Sequence, residues 1–168
     1  MGKGETRGQA GSHGKGRLPR WRPALAVGLQ VMDRQHKALM ARVADLGDGI
    51  AAGKPIAELD TSMAALIECA TDHFRWEEKL MGSSGYGDAA DHVKDHATLL
   101  QQAQLLRQEL SSGAVSPGDC AKLFMDAWAA HHIARCDRPL ADFIHASRPV
   151  KRTRASAKKA GPKKRPRE

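Results

Sequence analysis

The sequence predicts an all-α fold, a four-helix bundle running up-down-up-down, with a basic arm at each end. Three observations carry this. Ala, Leu, Met, Gln, Glu and Lys are plentiful, while aromatic residues make up only 4% of the 168 residues, which favours helix over sheet. Apolar residues recur at spacings of three and four in four separate stretches, the mark of amphipathic helices. The segments between them are short and rich in Gly, Ser and Pro, so successive helices should pack antiparallel.

The net charge of +8 is unevenly distributed. Residues 1–22 hold six Lys/Arg against one acid, and residues 148–168 hold ten against one, whereas the stretch between is acidic overall. Residues 1–20 lack apolar periodicity and read as a disordered basic arm, residues 21–147 as the bundle, and residues 148–168 as a disordered Lys/Arg-rich tail. Order is expected to begin at Trp21 with an extended lead through Val27.

Asp33 reads as the N-cap of a first helix from about Arg34 to Ala52, with Leu39, Met40, Val43, Leu46 and Ile50 on one stripe. Gly53-Lys54-Pro55 stops it. A second helix spans roughly Ala57 to Met81, its stripe running through Leu59, Met63, Leu66, Ala70, His73, Glu77 and Leu80. Gly82 to Gly87 has loop composition. Asp88 reads as the cap of a third helix reaching Leu110, and Ser116-Pro117 opens a fourth that runs through His132 toward Ile144.

Set on these stripes are His36, His73-x3-Glu77, His92-x3-His96 and His132-x4-Asp137. Residues four apart share a helix face and can point at one ion. A single His on an apolar stripe reads most simply as a hydrogen-bonded core residue. Seven such groups together do not, because burying five imidazoles and two carboxylates without a metal is expensive. Imidazole mixed with carboxylate suits iron or manganese, among other transition metals. Seven ligands exceed one tetrahedral zinc but suit two ions, with Glu77 and Asp137 each giving an oxygen to both.

His132 and Asp137 are five apart, about 500° of α-helical turn, and do not share a face on a straight helix. A π-type widening would realign them. Pro139, two residues beyond Asp137, lacks the N–H that would bond the carbonyl of Arg135, which predicts a kink or break there. His131 points away from His132 and reads as a surface or outer residue.

The ordered motifs Val27-Gly28-Leu29-x2-Met32-Asp33-x-Gln35-His36-Lys37, His73-Phe74-x2-Glu77-Glu78, Gly85-Tyr86, His92-x3-His96 and Trp128-x3-His132-Ile133-x3-Asp137 resemble the hemerythrins, in particular bacterial single-domain ones, from about Trp21 to Ile144. The resemblance implies two non-haem iron ions with an oxo or hydroxo bridge. His92, His96 and His132 would hold one ion, His36 and His73 the other, and Glu77 and Asp137 would bridge them. It implies reversible binding of dioxygen at the ion held by His36 and His73, which keeps an open site, and Leu39, Phe74, Leu99, Trp128 and Ile133 are the expected lining of its pocket. The expected function is that of an oxygen carrier, store or buffer and not an enzyme. The rival reading is an O2-, NO- or iron-sensing or signalling protein whose basic tail contacts nucleic acid or acidic partners.

Three cysteines without a CxxC argue against a disulfide framework and fit a reducing cytoplasm. No apolar run approaches a membrane span. The tail contains no aromatic residue, so any nucleic-acid binding by it would be through phosphates and indifferent to sequence.

Overall fold

The computed structural model describes residues 21–147, without the side chains of residues 124–130. The expectations placed on residues 1–20 and 148–168, and on Trp128, lie outside this description. Every regular element is helical: a 3-10 turn at Pro23–Leu25, α1 at Gln30–Ala51, α2 at Ile56–Ser84, α3 at Ala89–Ser112, α4 at Pro117–Met125, a π-helical segment at Asp126–Asp137 and α5 at Arg138–Ser147. Short connections at 52–55, 85–88 and 113–116 turn each helix back on the last. Helix α2 packs between α1 and α3, and α4 closes the bundle against both α1 and α3.

The first helix starts at Gln30, earlier than the Arg34 expected from an Asp33 cap. Asp33 lies inside the first turn, and its carboxylate reaches back to accept the N–H groups of Val27 (2.8 Å) and Gly28 (3.1 Å). It fastens the lead segment to the helix and does not cap it. Met32, four residues before His36, is fully buried and extends the apolar stripe into the added turn.

Helix α2 runs three residues past Met81 before Gly85 ends it at φ +70°, its N–H bonding the Met81 carbonyl. This left-handed position suits glycine, which has no Cβ to clash. Ser83 and Ser84 read as loop residues but donate their hydroxyls to the carbonyls of Leu80 and Met81. Asp88 precedes α3 without a side-chain capping bond. Ser116 does cap α4, its Oγ accepting the Asp119 N–H at 3.2 Å.

The fourth long helix departs most from a regular pattern. The chain stays helical from Pro117 to Ser147, so Pro139 produces no break. It passes instead from α to π register at Asp126 and back to α at Arg138, and Pro139 is the second residue of the restored α-helix. There its missing N–H falls where the bonding register is already changing.

Leu39, Met40, Leu46, Leu59, Met63, Leu66, Phe74, Met81, Leu110 and Ile133 fill the core. On the flank between α2 and α3, Arg107 grips Asp60 through two bonds of 2.7 Å, and Ser111 donates to the same carboxylate at 2.9 Å. The three cysteines are free thiols. Among the described residues no helix is long and apolar enough to cross a membrane.

Candidate metal centre

The seven groups singled out in the sequence are the buried polar and charged side chains among the described residues: His36, His73, Glu77, His92, His96, His132 and Asp137 are each at most 3% exposed. His36 comes from α1, His73 and Glu77 from α2, His92 and His96 from α3, and His132 and Asp137 from the π segment. They converge on one place. Glu77, His92, His96, His132 and Asp137 form one group able to hold an ion, and His36, His73, Glu77 and Asp137 form another. The two carboxylates are common to both.

The π segment makes this possible. With backbone bonds closing five residues apart, residues 132 and 137 lie about one turn apart, and His132 Nε2 comes within 3.0 Å of Asp137 Oδ1. Asp137 Oδ2 faces His36 Nε2 at 3.1 Å, so its two oxygens address opposite halves of the centre. Glu77 Oε2 lies 3.2 Å from His96 Nε2 and 3.6 Å from His73 Nε2, again spanning both halves.

The donors present fit a cation. The Nε2 atoms of His92, His96 and His132 converge at 3.1–3.3 Å. Three of the five rings place Nδ1 against an outer acceptor: His73 on Gln35 (3.2 Å), His96 on Glu78 (3.1 Å) and His132 on Asp95 (3.2 Å). An imidazole that donates outward from Nδ1 turns the lone pair of Nε2 inward, as a metal ligand must. Among the described residues, neither oxygen of Glu77 or Asp137 finds an aligned hydrogen-bond donor. Buried acceptors without donors are costly, and a metal ion removes that cost.

The electrostatics agree. Burial pushes the His73 imidazole down to about 3, aided by neighbouring His36, and pushes His96 down to about 2, aided by His132. Burial also disfavours charge on His132, yet the carboxylates of Asp137 and Asp95 outweigh it and hold this imidazole up to about 11. Burial and then Asp137 raise the Glu77 carboxyl well above the usual carboxylate range. Burial alone would raise Asp137 too, but the imidazoles of His132, His36 and His92 hold it well below.

Phe74 stacks on the His96 ring (centroids 3.9 Å apart, planes at 11°) and meets His132 edge-on at 5.4 Å. Leu39 and Ile133 are buried in the same core. Leu99 is half-buried and lines a groove of about 590 Å3 that runs over His92, Asp95, His131, Arg135 and Cys136. His131 is exposed there, as expected of a residue turned away from His132.

Residues 27–144 match the family model described as Hemerythrin HHE cation binding domain. The chain belongs to the hemerythrin family. It is similar to a bacteriohemerythrin of Pseudomonas aeruginosa (strain LESB58), 29% identical over 127 residues that cover 76% of this chain and 82% of the relative. A bacteriohemerythrin of Methylococcus capsulatus is 30% identical over 106 residues, 63% of this chain and 80% of that one. A myohemerythrin of Theromyzon tessulatum is 26% identical over 117 residues, covering 70% and 86%. No solved structure matches at a meaningful level.

The outer partners of this hemerythrin centre were not legible as such. Gln35 and Glu78 stand in the motifs, but nothing in their spacing assigns them to His73 and His96. Asp95 adjoins His96 in sequence yet serves His132 on another helix, a pairing that only the packing of α3 on the π segment reveals.

Proposed function

We propose that this hemerythrin domain binds dioxygen reversibly at two non-haem iron ions, acting as an oxygen carrier, store or buffer. The observation that carries the reading is the sharing of Glu77 and Asp137 by two otherwise separate ligand groups, the arrangement of two adjacent ions bridged by carboxylates. His92, His96 and His132 would hold one ion. His36 and His73 would hold the other, which would have one protein ligand fewer and so room for an exogenous molecule. The iron pair, when bound, supplies the two electrons that dioxygen takes up and returns.

The chain's own residues favour binding over oxidation chemistry. Oxygen-activating di-iron bundles draw on about four Glu and two His, and many anionic oxygens stabilise high-valent iron. Five neutral imidazoles with two carboxylates stabilise it less. Phe74 packs on His96 and His132 and holds them in place, and with the buried Leu39 and Ile133 it supplies apolar side chains to keep water from the pocket.

The test is iron analysis with an optical titration. Protein loaded without oxygen should hold about two irons per chain, consistent with two shared-carboxylate ligand groups. A visible band should appear on admitting air and vanish under argon. One zinc per chain and no oxygen-dependent spectrum would overturn the reading.

A further inference from the structure

The outer partners of the inward-facing histidines are not equivalent. Gln35 is neutral. Glu78 carries charge and takes one imidazole donor, that of His96, at 3.1 Å. Asp95 takes two donors on a single oxygen: its Oδ2 lies 3.2 Å from His132 Nδ1 and 3.3 Å from Cys136 Sγ. These groups come from two elements, Asp95 from α3 and His132 and Cys136 from the π segment. Asp95, His132 and Cys136 form a compact set of potential ligands on their own, opening onto the 590 Å3 groove while Nε2 of His132 faces the centre.

We propose that Asp95 is a positioning residue for the metal centre, holding His132 in its Nδ1–H tautomer, and that Cys136 shares this carboxylate and so sets how strongly His132 donates to its ion. The inference rests on the functional reading above. A carboxylate bonded to the outer nitrogen of a metal-bound imidazole fixes the ring and increases its basicity. A second donor on the same oxygen withdraws part of that density. The thiol of Cys136 thus weakens the support that Asp95 gives, and its removal leaves the carboxylate to His132 alone. Asp95 is half exposed, its side chain 51% accessible, so its bonds contribute little to the fold and its effect is concentrated on the ring it orients.

The experiment follows iron release. The full chain is loaded anaerobically with ferrous iron and transferred to excess ferrous chelator, and release is read optically. Asp95→Asn should release iron about 10–100-fold faster than wild type, the usual cost of removing such an outer partner, and Asp95→Glu should recover most of the loss. Asp91→Asn, the same charge change on the same helix and in the same groove, should match wild type. Cys136→Ala should release iron more slowly than wild type, and Cys136→Ser, which keeps a donor, should match it. Wild-type release from Asp95→Asn, or equal acceleration by Asp91→Asn, would overturn the positioning role. Faster or unchanged release from Cys136→Ala would overturn the sharing. Wild-type protein that takes up no iron would instead overturn the functional reading on which both depend.

Discussion

Replacing Phe74 with alanine empties the space directly behind two of the metal-site histidines. The ring is 2% exposed, lies flat on His96 and meets His132 edge-on, so nothing nearby can collapse into the void without disturbing the centre. Phe→Ala in a packed core costs about 3–5 kcal/mol, a large part of the ~5–15 kcal/mol that holds a domain together. For a bundle of this size that is a fall in melting temperature of about 10–20 °C. Phe74→Leu keeps most of the volume and loses the stack, for about 1–2 kcal/mol. Both should be measured by thermal and urea unfolding of the iron-free protein, because bound metal adds its own stabilisation. A melting point for Phe74→Ala within a few degrees of wild type would refute the packing role. Equal losses for the alanine and leucine variants would show that the stack, not the filled volume, carries the energy.

Glu77→Gln should separate stability from binding. The raised folded pKa of Glu77 means its protonated form stabilises the iron-free protein fully below about pH 4, and that contribution fades as pH climbs through the raised value. The amide should flatten this decline in iron-free melting curves while lowering iron content; an unchanged pH profile would count against it. Asp60 runs the other way: Arg107 and then Ser111 lower its pKa, so its bridge stabilises above the ordinary carboxylate range and is lost as pH falls through the lowered value. Asp60→Asn should cost about 1 kcal/mol at pH 7, discounted for exposure, and the difference should close in urea titrations at acid pH. Asp33→Ala removes both bonds to the lead segment and should cost about 1–2 kcal/mol. It should also raise amide exchange at Val27 and Gly28, and wild-type exchange there would contradict the tie.

Much of the bundle was legible because its stripes are long and its breakers strong. The clustered side chains were legible because all but Asp137 sit on such stripes, and Asp137 was legible through its motif with His132. The sequence misled where a residue type has two uses. Asp33 has the look of an N-cap, yet Met32 already belongs to the buried stripe, and tertiary burial extended the helix past the local signal. Ser83 and Ser84 sit in loop composition but satisfy the last carbonyls of α2, so the helix outlasted its propensity. The five-residue interval between His132 and Asp137 called for a wider helix, and the π segment supplies it. Its twelve-residue extent was not foreseeable, since no single residue marks where the register changes. Asp95 was invisible for a different reason: its partner is 37 positions away and joins it through packing alone.

The π segment also governs which changes the chain can absorb. Ala134 and Arg135 are exposed, and swapping their side chains alters nothing that the core or the centre depends on. Adding or removing a residue there is a different matter. One residue of slip turns everything downstream by about 100°, swinging Asp137 off His36 and carrying Leu140 and Ala141, both fully buried, toward solvent. The stretch therefore behaves as a ruler whose length is fixed and whose markings are free: its chemistry can drift while its residue count cannot.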